Sequence, residues 1–140
     1  MAKRGEKTRC NGEWTEARFN SFVKSALRAA SRRWAPISLC LKNARISRGL
    51  YICESCKQEV TTSIVIDGKR HKNIVVDHKE PIVPVTGWTS WDDCINRMFC
   101  EVDKLQAVCK TCHDVKSKEE AAERAVHRKA KKEKGDGNKR

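Results

Sequence analysis

Asn73-Ile74-Val75-Val76-Asp77-His78-Lys79-Glu80-Pro81, together with the later Leu105-Gln106-Ala107-Val108-Cys109-Lys110-Thr111-Cys112-His113, is the stretch on which the fold turns. Ile74, Val75 and Val76 are β-branched and predict a strand that delivers Asp77 and His78 at its end. Pro81 and Pro84 then interrupt regular structure. Upstream, Val60 to Ile66 is also rich in β-branched residues and runs into Asp67-Gly68, a strong hairpin-turn signal. The expectation is a hairpin in which residues 73–76 return against 60–66. Leu105 to Val108 reads as a short extended piece. From His113 to about Ala130 the chain reads as helix, with Glu119, Glu123, Arg124 and Arg128 spaced along it. Hairpin, loop and helix give the order ββα within an α+β fold.

The extended piece ends in cysteines. Cys53-Glu54-Ser55-Cys56 and Cys109-Lys110-Thr111-Cys112 are two CxxC pairs separated by 52 residues. One tight turn places two sulfurs on one ion, and zinc favours four thiolates in a tetrahedron. Redox CxxC motifs ordinarily come singly in a thioredoxin-like setting, which this sequence lacks. A structural zinc on Cys53, Cys56, Cys109 and Cys112 is therefore expected, clamping the base of the segment between the pairs. Cys10, Cys40, Cys94 and Cys100 lack ligand spacing, and Cys40 and Cys94 read as small core residues.

Zinc leaves the strand end free for other chemistry. Cutting a phosphodiester needs a base for water and a divalent ion to stabilise charge on the phosphate and leaving oxygen. His78 is the candidate base, since neutral imidazole takes a proton near pH 7. Asp77 and His113 are the candidate ligands of one hydrated Mg²⁺, Mn²⁺ or similar ion. An isolated Asp-His at a strand end is ordinarily just solvated; the flanking cysteine pairs shift this one toward catalysis. His71 reads as an exposed turn residue and His127 as plain surface.

Charge points to a polyanion. The chain carries a net +12, with Lys+Arg 30 against Asp+Glu 18. Residues 1–50 have a net +9, residues 51–114 a net −2 and residues 115–140 a net +5, so basic flanks enclose a near-neutral centre. DNA is the expected partner. No apolar run is long enough to span a membrane, and Met1-Ala2-Lys3-Arg4-Gly5 has no apolar core after it. The expectation is a cytoplasmic protein in a reducing compartment.

Residues 1–13 read as a flexible basic arm and residues 14–49 as a basic helical extension. Its first helix, about 15–34, has Thr15 as N-cap and Phe19, Phe22, Val23, Ala26, Leu27, Ala30 and Trp34 on one face. Arg18, Lys24, Arg28 and Arg32 fall opposite and are candidate phosphate contacts. Pro36 suits the first turn of a second helix, about 36–46, which Gly49 would end. Residues 50–127 are expected to form the zinc-bearing core, with Ser90 capping a short helix from Trp91 to about Phe99. Residues 128–140 read as a disordered basic tail. Trp14, Trp34, Trp88 and Trp91 read as core or loop anchors, with Trp88 the best alternative candidate for stacking on a base. Lys116, one helical turn after His113, is a further candidate for phosphate.

The pattern Asp77-His78-Lys79-Glu80-Pro81 … Leu105-Gln106-Ala107-Val108-Cys109-Lys110-Thr111-Cys112-His113-Asp114-Val115-Lys116 resembles that of HNH endonucleases, the ββα-metal or His-Me finger nucleases. Arg18-Phe19 through Trp34 to Cys53, and Trp91 through Glu101, are similar to phage-encoded members, so the resemblance covers roughly residues 14–120. It implies a ββα-metal core with a four-cysteine zinc site. It also implies His78 as general base, with Asp77 and His113 as ligands of the catalytic cation. One departure stands out: Lys104 occupies the position where the pattern has an Asn that braces the catalytic His. Lys is donor-only and cannot copy an amide, which leaves Asp103, Asn73 or Asn96 to supply the brace. Metal-dependent cleavage of DNA is the leading expectation. A zinc-dependent DNA-binding module of the same fold without catalysis is the alternative, and an accessory role in a phage packaging or replication assembly is a third.

Overall fold

The computed structural model describes residues 5–136; the ends of the expected arm and tail, 1–4 and 137–140, lie outside the described residues. The chain divides at Trp34 into two compact units, so the stretch expected as one helical extension contributes to both.

In the first unit, β1 (Lys7–Arg9) pairs antiparallel with β2 (Trp14–Thr15). Residues 7–9, expected within the arm, are thus paired backbone. Cys10, Asn11 and Gly12 turn the chain with φ of 53°, 53° and 82°. Helix α1 (Glu16–Ser31) starts where expected, because Thr15 Oγ1 accepts from the Arg18 N–H at 3.2 Å. Glu16 holds the hairpin to the helix: it accepts from Thr8 Oγ1 at 2.6 Å and from Arg9 Nε at 2.9 Å. Trp14 packs edge-on against Phe22, with centroids 5.4 Å apart.

The second unit begins with α2 (Ala35–Ala44), with Pro36 in its first turn as expected. The helix stops earlier than Gly49, which has φ of 76° and turns the chain between β3 (Arg45–Ser47) and β4 (Leu50–Ile52). Strand β4 pairs on its other side with β5 (Glu59–Thr61). Asp67 and Gly68, with φ of 50° and 76°, close the tight hairpin of β6 (Ser63–Ile66) and β7 (Lys69–Lys72).

That last pairing corrects the expected hairpin. The turn is where it was expected, but the strand returning from it is Lys69–Lys72. Strand β8 (Ile74–His78) pairs with β9 (Leu105–Cys109) instead, from Ile74 opposite Cys109 to His78 opposite Leu105. Between them lie α3 (Trp91–Met98), capped by Ser90 Oγ accepting from the Asp93 N–H, and a 3-10 turn at Val102–Lys104. Helix α4 (Lys110–Asp136) follows β9 directly, whereas α3 and the 3-10 turn stand between β8 and β9. It carries helix across most of the segment expected as a disordered tail.

Strand β9 is the centre of the packing. Leu105 and Ala107 join Ile74 and Cys40 in one buried cluster, with Ile37 and Leu41 of α2 against it. Val108 joins Cys53 and Cys109 in a second, with Val75 and Val60 against it. Leu105, Ala107, Val108 and Cys109 are buried, and Gln106 is the one partly exposed residue of the strand. Cys40 and Cys94 are buried, as expected of core cysteines. Leu105→Ala should cost about 2–5 kcal/mol, read from urea unfolding at saturating zinc, because a fully buried side chain leaves a cavity.

Candidate metal centre and strand-end site

Two tight structures bring the four thiols together. The first CxxC occupies the β4–β5 turn, where the Cys53 N–H donates to Gln58 O at 3.0 Å and Lys57 N–H to Cys53 O at 2.9 Å. Lys57 adopts φ of 63° to close it. The second CxxC spans the β9–α4 junction. Backbone bonds dock the two: Glu54 N–H donates to Ala107 O at 2.9 Å, and the Ala107 N–H donates to the Glu54 carboxylate.

The sulfur ligand atoms of Cys53, Cys56, Cys109 and Cys112 all lie within 4.8 Å of one another. A tetrahedron with zinc–sulfur bonds of about 2.3 Å needs neighbouring sulfurs about 3.8 Å apart, and Cys56 Sγ stands 4.0 Å from Cys109 Sγ. The donor set fits zinc. Burial pushes the Cys53 thiol up, but N–H groups of Cys56, Cys109 and Ser55 outweigh it and hold the thiol down to about 6. Cys112 is pushed up to about 12, first by its hydrogen bond with Cys109 and then by burial. One thiolate is thus stabilised by the backbone, and a dication would favour ionised Cys109 and Cys112, whose thiols are raised.

The strand-end residues sit where the sequence placed them, but they face different neighbours. Successive strand side chains alternate between faces. His78 Nε2 lies 3.0 Å from the Met98 carbonyl at the end of α3. Asp77 Oδ2 is 2.8 Å from Lys116 Nζ on α4, and Gln106 Nε2 reaches the same oxygen at 3.4 Å. Lys116 also donates to His78 O at 2.9 Å and pairs with Glu120 at 2.6 Å. Burial alone would lower the Lys116 pKa, but Asp77 and Glu120 outweigh it and raise it. Its charge is thus engaged inside the fold, whereas the sequence pointed it at phosphate.

His113 lies in the first turn of α4, half-buried, with Nδ1 3.9 Å from Asp114 Oδ1. Among the described residues the four cysteines are the group whose ligand atoms converge. Asp77 and His113 do not gather with a third such ligand, and Asp77 already carries an ammonium. The donors for a hard cation are therefore incomplete in this geometry.

A cavity of about 210 Å³ opens beside His78, lined also by Glu80, Asn96, Arg97 and Lys104. Asn96 and Lys104 thus share the cavity with His78, yet the brace on its ring is a backbone carbonyl. The Lys79 N–H donates to Lys104 O at 2.9 Å, so Lys104 steadies the loop through its main chain. Arg97, which sequence reasoning passed over, bonds Asp93 at 3.1 Å and Pro81 O at 3.3 Å and ties α3 to the loop after His78. Its i,i+4 spacing from Asp93 was the available signal.

Of the residues expected to meet DNA on α1, Arg18, Arg28 and Arg32 are exposed and Lys24 is half-buried. Arg18 lies over the Trp14 ring at 4.2 Å. Trp88, 41% exposed, packs edge-on against Trp91 with centroids 4.9 Å apart. No described helix is long and apolar enough to cross a membrane. No family model, curated protein or solved structure matches this chain.

The folded protein should carry one zinc per chain by elemental analysis. Cys109→Ser should lose it, and chelation should cost most of the cooperative unfolding transition seen by circular dichroism. Lys116→Met, which strands two carboxylates, should cost about 1.5–3 kcal/mol in urea without loss of zinc.

Proposed function

We propose that this chain is a metal-dependent endonuclease of the HNH type that hydrolyses phosphodiester bonds in DNA, with His78 as its general base. The observation that carries the reading is the bond between His78 Nε2 and the Met98 carbonyl. A carbonyl oxygen can only accept, so Nε2 carries a proton, and in the neutral ring the lone pair that can take a water proton is the one on Nδ1. The ring is held in that tautomer beside an open cavity at the end of β8, which is the arrangement a base needs. The Met98 carbonyl thereby does the bracing that Lys104 cannot.

A divalent cation, when bound, would stabilise charge on the phosphate and leaving oxygen. The family resemblance points to Asp77 and His113 as its holders, a donor set that is incomplete while Lys116 pairs with Asp77. Lys116 balances Asp77 and, through His78 O, anchors the strand end to α4. The basic face of α1 supplies sequence-independent attraction for duplex.

The ion pair at Asp77 favours a second reading, a DNA-binding module that keeps the zinc and lacks the chemistry. Supercoiled plasmid incubated with Mg²⁺ or Mn²⁺ separates the two. The nuclease reading expects nicked or linear product, reduced about 10²–10⁴-fold in rate by His78→Ala with fold and zinc content unchanged. Undiminished cutting by His78→Ala removes His78 as the base. Salt-sensitive binding with no cutting under either ion leaves the binding module.

A further inference from the structure

We infer that the cleft between residues 85–87 and the C-terminal half of α4 is a phosphate-binding site that grips the backbone of duplex DNA at a distance from His78. The inference rests on the reading of this chain as a protein that acts on DNA, and it adds a contact that neither the α1 face nor Lys116 supplies. Val85, Thr86 and Gly87 form one wall, Arg124, His127, Arg128 and Lys131 the other, around a cavity of about 370 Å³. None of these seven residues is acidic.

The helical wall is one face. Residues 124, 127, 128 and 131 stand at i, i+3, i+4 and i+7, so their side chains emerge together. Arg124 fixes the wall to the loop, its guanidinium donating to Val83 O at 2.9 Å. That bond uses one of five donors and none of the charge. On the loop side, Gly87 has φ of 122°, and a Cβ there would fall 2.8 Å from Lys131 Nζ. The ammonium therefore lies against bare backbone, where a side chain would displace it.

The charges of this wall are unspent. Lys110, Lys116 and Arg97 are each paired with a carboxylate. Among the described residues Arg128 and Lys131 have no such partner; Glu120, one turn before Arg124, is taken by Lys116, and Glu123, next to Arg124 on α4, is not among the residues that line the cleft. Like charges gathered one turn apart repel one another, and an anion in the cleft relieves that. Arg128 and Lys131 are also exposed, so the anion can belong to a long polymer.

Position along α4 makes duplex the fitting polymer. Arg124 and Lys131 follow His113 by 11 and 18 residues, or roughly 17 and 27 Å at the helical rise. At about 3.4 Å per base pair that is roughly five to eight base pairs. A duplex held at both places would be tracked along its backbone, with no base read by the cleft.

The experiment measures binding and needs no cleavage. A fluorescent 30-base-pair duplex is titrated with the His78→Ala protein by anisotropy across a salt series, without added Mg²⁺ or Mn²⁺. Arg128→Gln with Lys131→Gln should flatten the plot of log K against log salt by about 1.8, two contacts at about 0.9 each. Thr86→Glu, which sets a carboxylate on the opposite wall, should flatten it too. Lys129→Gln with Lys132→Gln removes the same charge outside the cleft and should shift the slope less than half as much. Equal shifts from both pairs, or none from the first, overturn the inference, given unchanged zinc content and circular dichroism. Loss of inorganic-phosphate binding, followed by phosphorus NMR, with an unchanged DNA slope overturns the duplex assignment. Parent protein that does not bind the duplex removes the DNA reading itself. Failure of the nuclease chemistry alone shows only in the plasmid assay and leaves the slope difference intact.

Discussion

The second unit depends on one closure: the docking of the β4–β5 turn against the junction of β9 and α4. Four sulfurs and a reciprocal pair of bonds between Glu54 and Ala107 make it. Cys53 and Val108 are among the largest fully buried side chains, so the metal centre and the core share walls. A core this small leaves little margin on hydrophobic burial alone. A zinc ion held by the four thiols would join the two turns at the point where β9 ends and α4 begins, just ahead of His113 and Lys116.

Strand β8 inherits its geometry from that closure. Paired to β9 along five residues, it ends with Asp77 and His78 turned to different neighbours. Asp77 is answered by α4 through Lys116, and His78 by the last carbonyl of α3. The strand end is thus held between two helices by polar contacts: one reads a carboxylate, the other fixes a proton on one ring nitrogen. Arg97 on α3 holds the loop that follows His78 through Pro81 O, which ties the helix bearing the Met98 carbonyl to the end of β8.

Much of this was legible because it rests on local chemistry. Thr15 and Ser90 announce helix starts, Asp67-Gly68 announces a turn, and two CxxC pairs announce a tetrahedral thiolate site. Pairing was less legible. Lys69-Arg70-His71-Lys72 carries no apolar alternation, so nothing in it marks a strand, while Ile74-Val75-Val76 looks like a better match for residues 60–66. The true partner of β8 lies beyond a long loop, and register over such distances is settled by packing of both faces of β9. Lys116 stood out as one turn from His113, but its partners Asp77 and Glu120 follow from how α4 docks on β8. The Met98 carbonyl had no signal at all, since every residue offers one.

The two cysteine pairs also set a clock. Each CxxC is a local structure that can form while the chain is open, and either can take up an ion through two sulfurs. The other pair must then be found across 52 intervening residues, a closure whose length-dependent entropy alone is about 3.5 kcal/mol. The strands and helix between the pairs shorten that search as they form. Zinc held by one pair alone would keep two of its four thiolate ligands, so loading of the site would be timed by how long that half-site retains the ion against closure of the loop.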